Sequence, residues 1–248
     1  MKKVSVLFVA AVLTANVATG QFSVGGKDVR IGARAGVNFT KYVGSDAYLL
    51  LEQDVEGSWG FGVSVEDTKS KMAFKPGIQL GAVANVALSE VLSFQPGLLL
   101  SQMGLKTVTS LILEDQRGGD FEVKTTVSQT LNYIQMPLNF QYKNNYGNQV
   151  LWLQAGPYVG LGVGTSSKIK TSVTDGGKKE TDSDSATASF DDLGLNVLDF
   201  GVGLGIGLEI MGMIQVGVVS NLGITNLAEK VSLKNKGLFL TTTYFFGK

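Results

Sequence analysis

The sequence contains no histidine and no cysteine. Ser–His nucleophiles and Asp–His bases are therefore unavailable, as are the imidazole and thiolate ligands that zinc prefers. Chemistry would have to come from carboxylates, lysines, arginines and tyrosines, and these fall in two kinds of place. In the segment 43–72, Asp46, Glu52, Asp54, Glu56, Glu66 and Asp67 accompany Lys69 and Lys71. Clustered acids can take calcium, but the D-x-D-x-D-G spacing of a calcium loop is absent, so a solvated acidic rim is expected. Arg34, Lys75, Asp199 and Glu209 stand instead inside apolar runs. The expectation is a protein with no enzymatic activity, no cofactor and no metal.

Asp199 and Glu209 bracket "DFGVGLGIGLEI", with glycine at 201, 203, 205 and 207. A dinucleotide loop needs G-x-G-x-x-G between a strand and a helix; here the third spacing is wrong and no helical period follows. The residues between are Phe200, Val202, Leu204, Ile206, Leu208 and Ile210, so the period is two. That pattern predicts a strand with one apolar face and one small or polar face. At about 3.3 Å per residue it is long for a globular strand and sufficient for a tilted membrane crossing of about 9–11 residues.

Seven further segments repeat the alternation: "RIGARAGVNFT", "AFKPGIQLGAVANVAL", "LSFQPGLLLS", "NYIQMPLNFQYK", "VLWLQAGPYVGLGVG", "MIQVGVVSNL" and "LFLTTTYFF". The sixth is the weakest, since Val219 breaks its period. Long polar connections at about 43–72, 107–128, 167–193 and 225–236 alternate with tight turns at Ser89-Glu90, "NNYGN" and Met211-Gly212. An all-β, eight-stranded antiparallel up-and-down transmembrane barrel has this layout, with long outside loops and short periplasmic turns. A soluble sandwich or lipocalin-like barrel would instead expose a charged face to water. The non-apolar faces here are mostly Gly, Gln, Asn and Tyr, which suits the crowded interior of a narrow barrel.

The start of the chain agrees with export. "MKK" followed by "VSVLFVAAVLTANVA" and "ATGQ" reads as a signal peptide over 1–20, cut between Gly20 and Gln21; the apolar stretch is too short for a membrane anchor of about 20 residues. A short periplasmic segment is expected at 21–29 and the barrel domain at 30–248. Lys and Arg number 21 against 21 Asp and Glu, a balance that offers nothing to nucleic acid. With no cysteine, neither a disulfide nor a lipid anchor on an N-terminal cysteine is available.

Parity then assigns the candidate functional residues. Tyr133, Trp152 and Tyr158 point inward as an interior plug, with the glycines of 201–207 making room for them. The inward charges need partners, because removing one member of a buried pair costs about 3–5 kcal/mol. The expected pairs are Arg34 with Glu209 and Lys75 with Asp199. Outward aromatics form two interfacial girdles: Phe94, Phe140, Tyr142, Tyr244 and Phe246 at the short-turn end, and Phe39, Phe74 and Phe200 towards the long loops. The third long connection, polar and charge-mixed, is expected to be mobile. "TVTSLILED" and "FEVKTTV" of the second are expected to continue their strands as a raised hairpin with a partly unpaired edge.

The segments "IGARAGVNFT", "FKPGIQLGAVANVAL", "YIQMPLNFQYK", "AGPYVGLGVG" and the "YFF" finish resemble the PorT-type outer-membrane β-barrel family of Bacteroidota, over residues 30 to 248. The resemblance implies a cell outer-membrane location in a Gram-negative envelope and, as a partner, secretion machinery. It also implies an assembly signal in the terminal aromatic, here followed by Gly247 and Lys248. The function expected is that of a monomer in outer-membrane lipid, acting through extracellular loops as a surface-interaction, envelope-structural or secretion-accessory protein. The alternative is a narrow pore or small-ligand uptake barrel.

Overall fold

The computed structural model describes residues 21–46, 63–115, 120–147, 149–176, 178–229 and 231–246. They form β1 (Gln21–Val24), β2 (Lys27–Val43), β3 (Val63–Ala73), β4 (Lys75–Ala87), β5 (Leu92–Asp115), β6 (Asp120–Tyr146), β7 (Gln149–Asp175), β8 (Lys178–Ala188), β9 (Leu198–Ile210), β10 (Ile214–Gly223) and β11 (Lys234–Phe245), with one 3-10 turn at Asp191–Leu193. Eight of these close a ring in the order β2-β4-β5-β6-β7-β9-β10-β11, and β11 returns to β2 from Phe245↔Gly32 to Lys234↔Val43. Every neighbouring pair is antiparallel, so the closed ring leaves no free edge.

The alternation sorts side chains as it predicts. Along β9, Asp199, Gly201, Gly203 and Glu209 are buried, whereas Leu198, Phe200, Val202, Leu204 and Ile206 are exposed. Leu98, Leu100 and Leu204 are each at least 60% exposed, an arrangement that is stable only where the surrounding solvent is hydrocarbon. Val219, the residue that broke the period of β10, is buried and fills the interior over Gly205.

Three strands lie outside the ring. β1 pairs with the start of β2 through Gly25-Gly26, whose φ of 59° and 75° suit a tight hairpin turn. The short segment 21–29 expected ahead of the barrel domain thus folds as a hairpin on the start of β2. At the other end β5, β6 and β7 run to 24, 27 and 27 residues, over twice what a crossing needs. Their upper halves, flanked by β3 on β5 and by β8 on β7, make a raised five-stranded sheet in the order β3-β5-β6-β7-β8. The third long connection, expected to be mobile, is thus a paired ribbon. Its Thr, Val and Ile favour extended backbone, and this outweighs the charge on which the expectation rested. The β5–β6 hairpin is not an edge, since both flanks are covered; among the described residues the open edges of the raised sheet are those of β3 and β8.

Candidate functional site

The interior is built in layers. In its middle, Trp152 from β7 lies against Gly207 and Gly217, which face each other on β9 and β10, and a Cβ at either glycine would collide with the indole. Tyr158 covers Gly201 in the same way, and Tyr133 stands beside Gly160. Tyr133, Trp152 and Tyr158 are all at most 2% exposed. Above them Tyr42, Phe190, Leu227 and Leu233 close the upper mouth in one apolar cluster with Met103, Leu131 and Phe239. Phe190 reaches in from the segment after β8, its ring occupying the space over Gly162 and meeting Tyr133 edge-on at 5.4 Å. The turn that holds it is pinned by a reciprocal pair: Ser189 N donates to Asp192 Oδ2 at 2.9 Å, and Asp192 N to Ser189 Oγ at 3.1 Å. The backbone bond from Ser189 holds the Asp192 carboxyl below the usual carboxylate range.

The inward charges are partnered differently from the sequence expectation. Glu209 accepts from Arg30 Nη1 and Nη2 at 2.9 and 3.2 Å, from Lys143 Nζ at 3.1 Å and from Gln215 Nε2 at 2.8 Å. Arg34 does not reach it; its guanidinium donates to Thr243 Oγ1 at 2.8 Å and to Gln95 Oε1. The cause is strand stagger. Arg34, Thr243, Gln215 and Glu209 share one hydrogen-bonded row, but rows in a tilted barrel change height from strand to strand. Three strands round, Glu209 meets Arg30, four residues before Arg34 on β2 and so about 13 Å along the strand from it. Lys75 and Asp199, expected to pair, stand on β4 and β9, opposite each other in the ring, and do not meet. Lys75 Nζ donates to Pro76 O at 3.2 Å, while Asp199 accepts from Tyr158 Oη at 3.2 Å and from Asn235 Nδ2 and Thr225 Oγ1 at 3.1 Å each.

Between these layers runs an amide network that parity alone does not reveal. Gln141 donates to Gln95 and Gln154 at 3.0 and 3.1 Å, Gln95 donates to Gln215 at 3.1 Å, and Asn85 donates to Gln141 at 3.1 Å. Arg30 and Lys143 lay on the inward parity of their strands, so the signal for them was present in the sequence; their partner was not. The space left beside Arg34, Gln135, Gln154 and Tyr158 is about 20 Å³, less than one small solute. Among the described residues no cluster of three or more acids is placed to hold a metal ion. The middle of the barrel is thus filled, and the larger space, about 470 Å³, opens at the short-turn end beside Arg30, Asn85 and Lys143.

Outside, the aromatic residues occupy two levels. Phe94 and Phe140 face each other across β5 and β6 with centroids 5.1 Å apart, and Tyr244 meets Phe246 at 5.5 Å; Tyr142 is exposed at the same end. Phe39, Phe74 and Phe200 are exposed towards the other end, where Lys41 Nζ lies 5.0 Å from the Phe74 ring. Of the first acidic segment, Asp46 is described; it accepts from Ser232 N at 2.7 Å and ties down the entry to β11. Glu52, Asp54 and Glu56 lie outside the described residues, as does the expected signal peptide.

A ring of apolar-faced strands around a sealed polar interior defines an outer-membrane barrel. The chain belongs to the family of the outer membrane protein beta-barrel domain, whose model matches residues 15–229. No curated protein matches it. Solved structures similar to it include Ail, the attachment invasion locus protein of Yersinia pestis (10% identity, 87% of this chain and 97% of that one, TM-score 0.30). Neisserial surface protein A (12%, 87% and 97%, TM-score 0.32) and OprG of Pseudomonas aeruginosa (13%, 88% and 96%, TM-score 0.29) are similar at the same level.

Proposed function

We propose that this outer-membrane barrel works without catalysis, through the raised sheet on its outer side, as a surface-interaction or envelope-structural protein. The observation that supports this most is the pairing of two features: an interior packed through its middle and upper layers, with a recess of about 470 Å³ confined to the short-turn end beside Arg30 and Lys143, and strands β5–β7 that continue far beyond the bilayer into a five-stranded sheet. A solute path would need the first feature undone, and a purely structural barrel would not need the second. The absence of histidine and cysteine speaks for a non-enzymatic role. The PorT-type resemblance supports a secretion accessory in a Bacteroidota envelope as the particular assignment, with a signal peptide for export.

The test is proximity cross-linking on cells from the raised sheet. The chain lacks cysteine, so Ser183→Cys on β8 creates a unique handle. Labelling by a membrane-impermeant reagent and capture of a discrete envelope neighbour are expected. Failure of the handle to label on intact cells would contradict the reading.

A further inference from the structure

The raised sheet sorts its charges by face. Directly paired residues of antiparallel strands share a face, so the registers define its rows. Lys106, Ser128, Lys168 and Ser185 form the lowest row, next to the barrel. Lys71, Val108, Thr126, Lys170 and Ser183 form the next, and Lys124 stands in the third with Ser110, Ser172 and Thr181. Carboxylates enter this face only from the fourth row, where Glu122 lies opposite Ile112. The acids of β8, Glu180, Asp182 and Asp184, alternate onto the opposite face, beside Val173 and Ile169.

The lysine face is the upward continuation of the surface that meets lipid. On β5 the parity of Leu98 and Leu100 leads through Gln102 to Lys106; on β6 that of Met136 and Ile134 leads through Asn132 to Lys124. On β7 an irregularity decides the matter. Asn132 pairs with Gly164 and Tyr133 with Gly162, so Val163 is an extra residue that reverses the parity above it. Without that bulge Lys168 and Lys170 would point to the other face. Lys71, Lys106, Lys124, Lys168 and Lys170 make no ion pair with a described residue. A cleft of about 390 Å³ opens beside Lys71 and Lys124, lined also by Lys69, Val108 and Ser110, with Glu122 of the fourth row on its wall.

We infer that this face binds the phosphorylated headgroups of the leaflet the barrel crosses. Rows two residues apart along a strand are separated by roughly 6.6 Å, and the first three carry these lysines, with no carboxylate between them, on the face that continues the apolar surface upward towards the anionic headgroups. Lysine ammonium groups are mobile point charges suited to phosphates whose exact position varies, and their stems extend the apolar surface towards the lipid. The binding rests on the reading that the raised sheet stands on the outer side.

The test uses the purified mature chain refolded in non-ionic detergent, titrated at 150 mM salt with mixed micelles containing a diphosphorylated glycolipid or its dephosphorylated form. Binding of the phosphorylated form alone is expected. The triple variant K71Q/K124Q/K170Q should bind at least tenfold more weakly, since each lysine near an anionic surface contributes about fivefold, and the corresponding arginine variant should bind as the parent does. Lys178→Gln, on the opposite face, should change nothing, and heat-dependent gel mobility checks that every variant folds. Equal binding of both glycolipids, or an unaffected triple variant, would overturn the inference. So would inorganic tripolyphosphate binding as tightly as the micelle-held lipid, because the face would then be a site for soluble polyanions. The experiment needs no cellular neighbour, so it can fail while the cross-linking from Ser183 succeeds, or the reverse.

Discussion

Glycine at 207 and 217 has a purpose that only the ring makes visible: the two face each other on adjacent strands and together accept one indole. Replacing Trp152 by alanine removes the largest buried side chain, and a loss of about 3–5 kcal/mol is expected in urea titrations of the refolded barrel. Gly207→Val, which forces a side chain into the indole, should cost about 1–3 kcal/mol or block closure. The inward placement of Tyr133, Trp152 and Tyr158 is legible from alternation alone. The ion pairs are not, because which charge meets Glu209 depends on strand stagger, and stagger leaves no mark in the period of two. Glu209→Gln strips the single carboxylate from Arg30 and Lys143 and should destabilise the barrel by about 3 kcal/mol; Arg34→Gln should leave that cluster standing. At Asp192 the depressed carboxyl makes its turn strongest above the ordinary carboxylate range, with the contribution lost as pH falls through the lowered folded value. The Ser189 amide resonance should report that loss below about pH 4, and Asp192→Asn should abolish the titration.

At the scale of elements, the eight ring strands were legible because each repeats apolar and small residues over a crossing's length. The raised ribbons were legible only in part. Val, Leu and Ile in 107–113 mark strands openly, whereas 167–188 hides the same conformation in Ser, Thr, Lys and Asp, whose polarity suggests a loop. The bulge at Val163 is the feature least accessible to pattern: it inserts one residue and thereby decides which face receives Lys168 and Lys170. Ring pairing of β7 with β9 spans Gln149 to Leu161 and ends below the ribbon. Deleting residues 168–185 and joining Ser167 to Ala186 should therefore leave the barrel folded, with heat-dependent gel mobility intact, while a cysteine placed at Thr126 on β6 still labels on cells but no longer captures the envelope neighbour. A truncated chain that no longer folds would show that the ribbon is part of the closure.

The whole molecule divides its tasks by height. Apolar strand faces hold it in lipid, a packed and hydrogen-bonded interior closes it, and the sheet beyond the bilayer presents a cationic face and two open edges. Closure is the central claim, since an aqueous path would turn an interaction surface into a pore. The most direct measurement is conductance across a planar lipid bilayer after insertion of the purified mature barrel. With Trp152 and the Arg30–Glu209–Lys143 cluster in place, a baseline indistinguishable from protein-free membrane is expected. Reproducible unitary steps from the parent protein would contradict it and would move the function from the raised sheet to the interior.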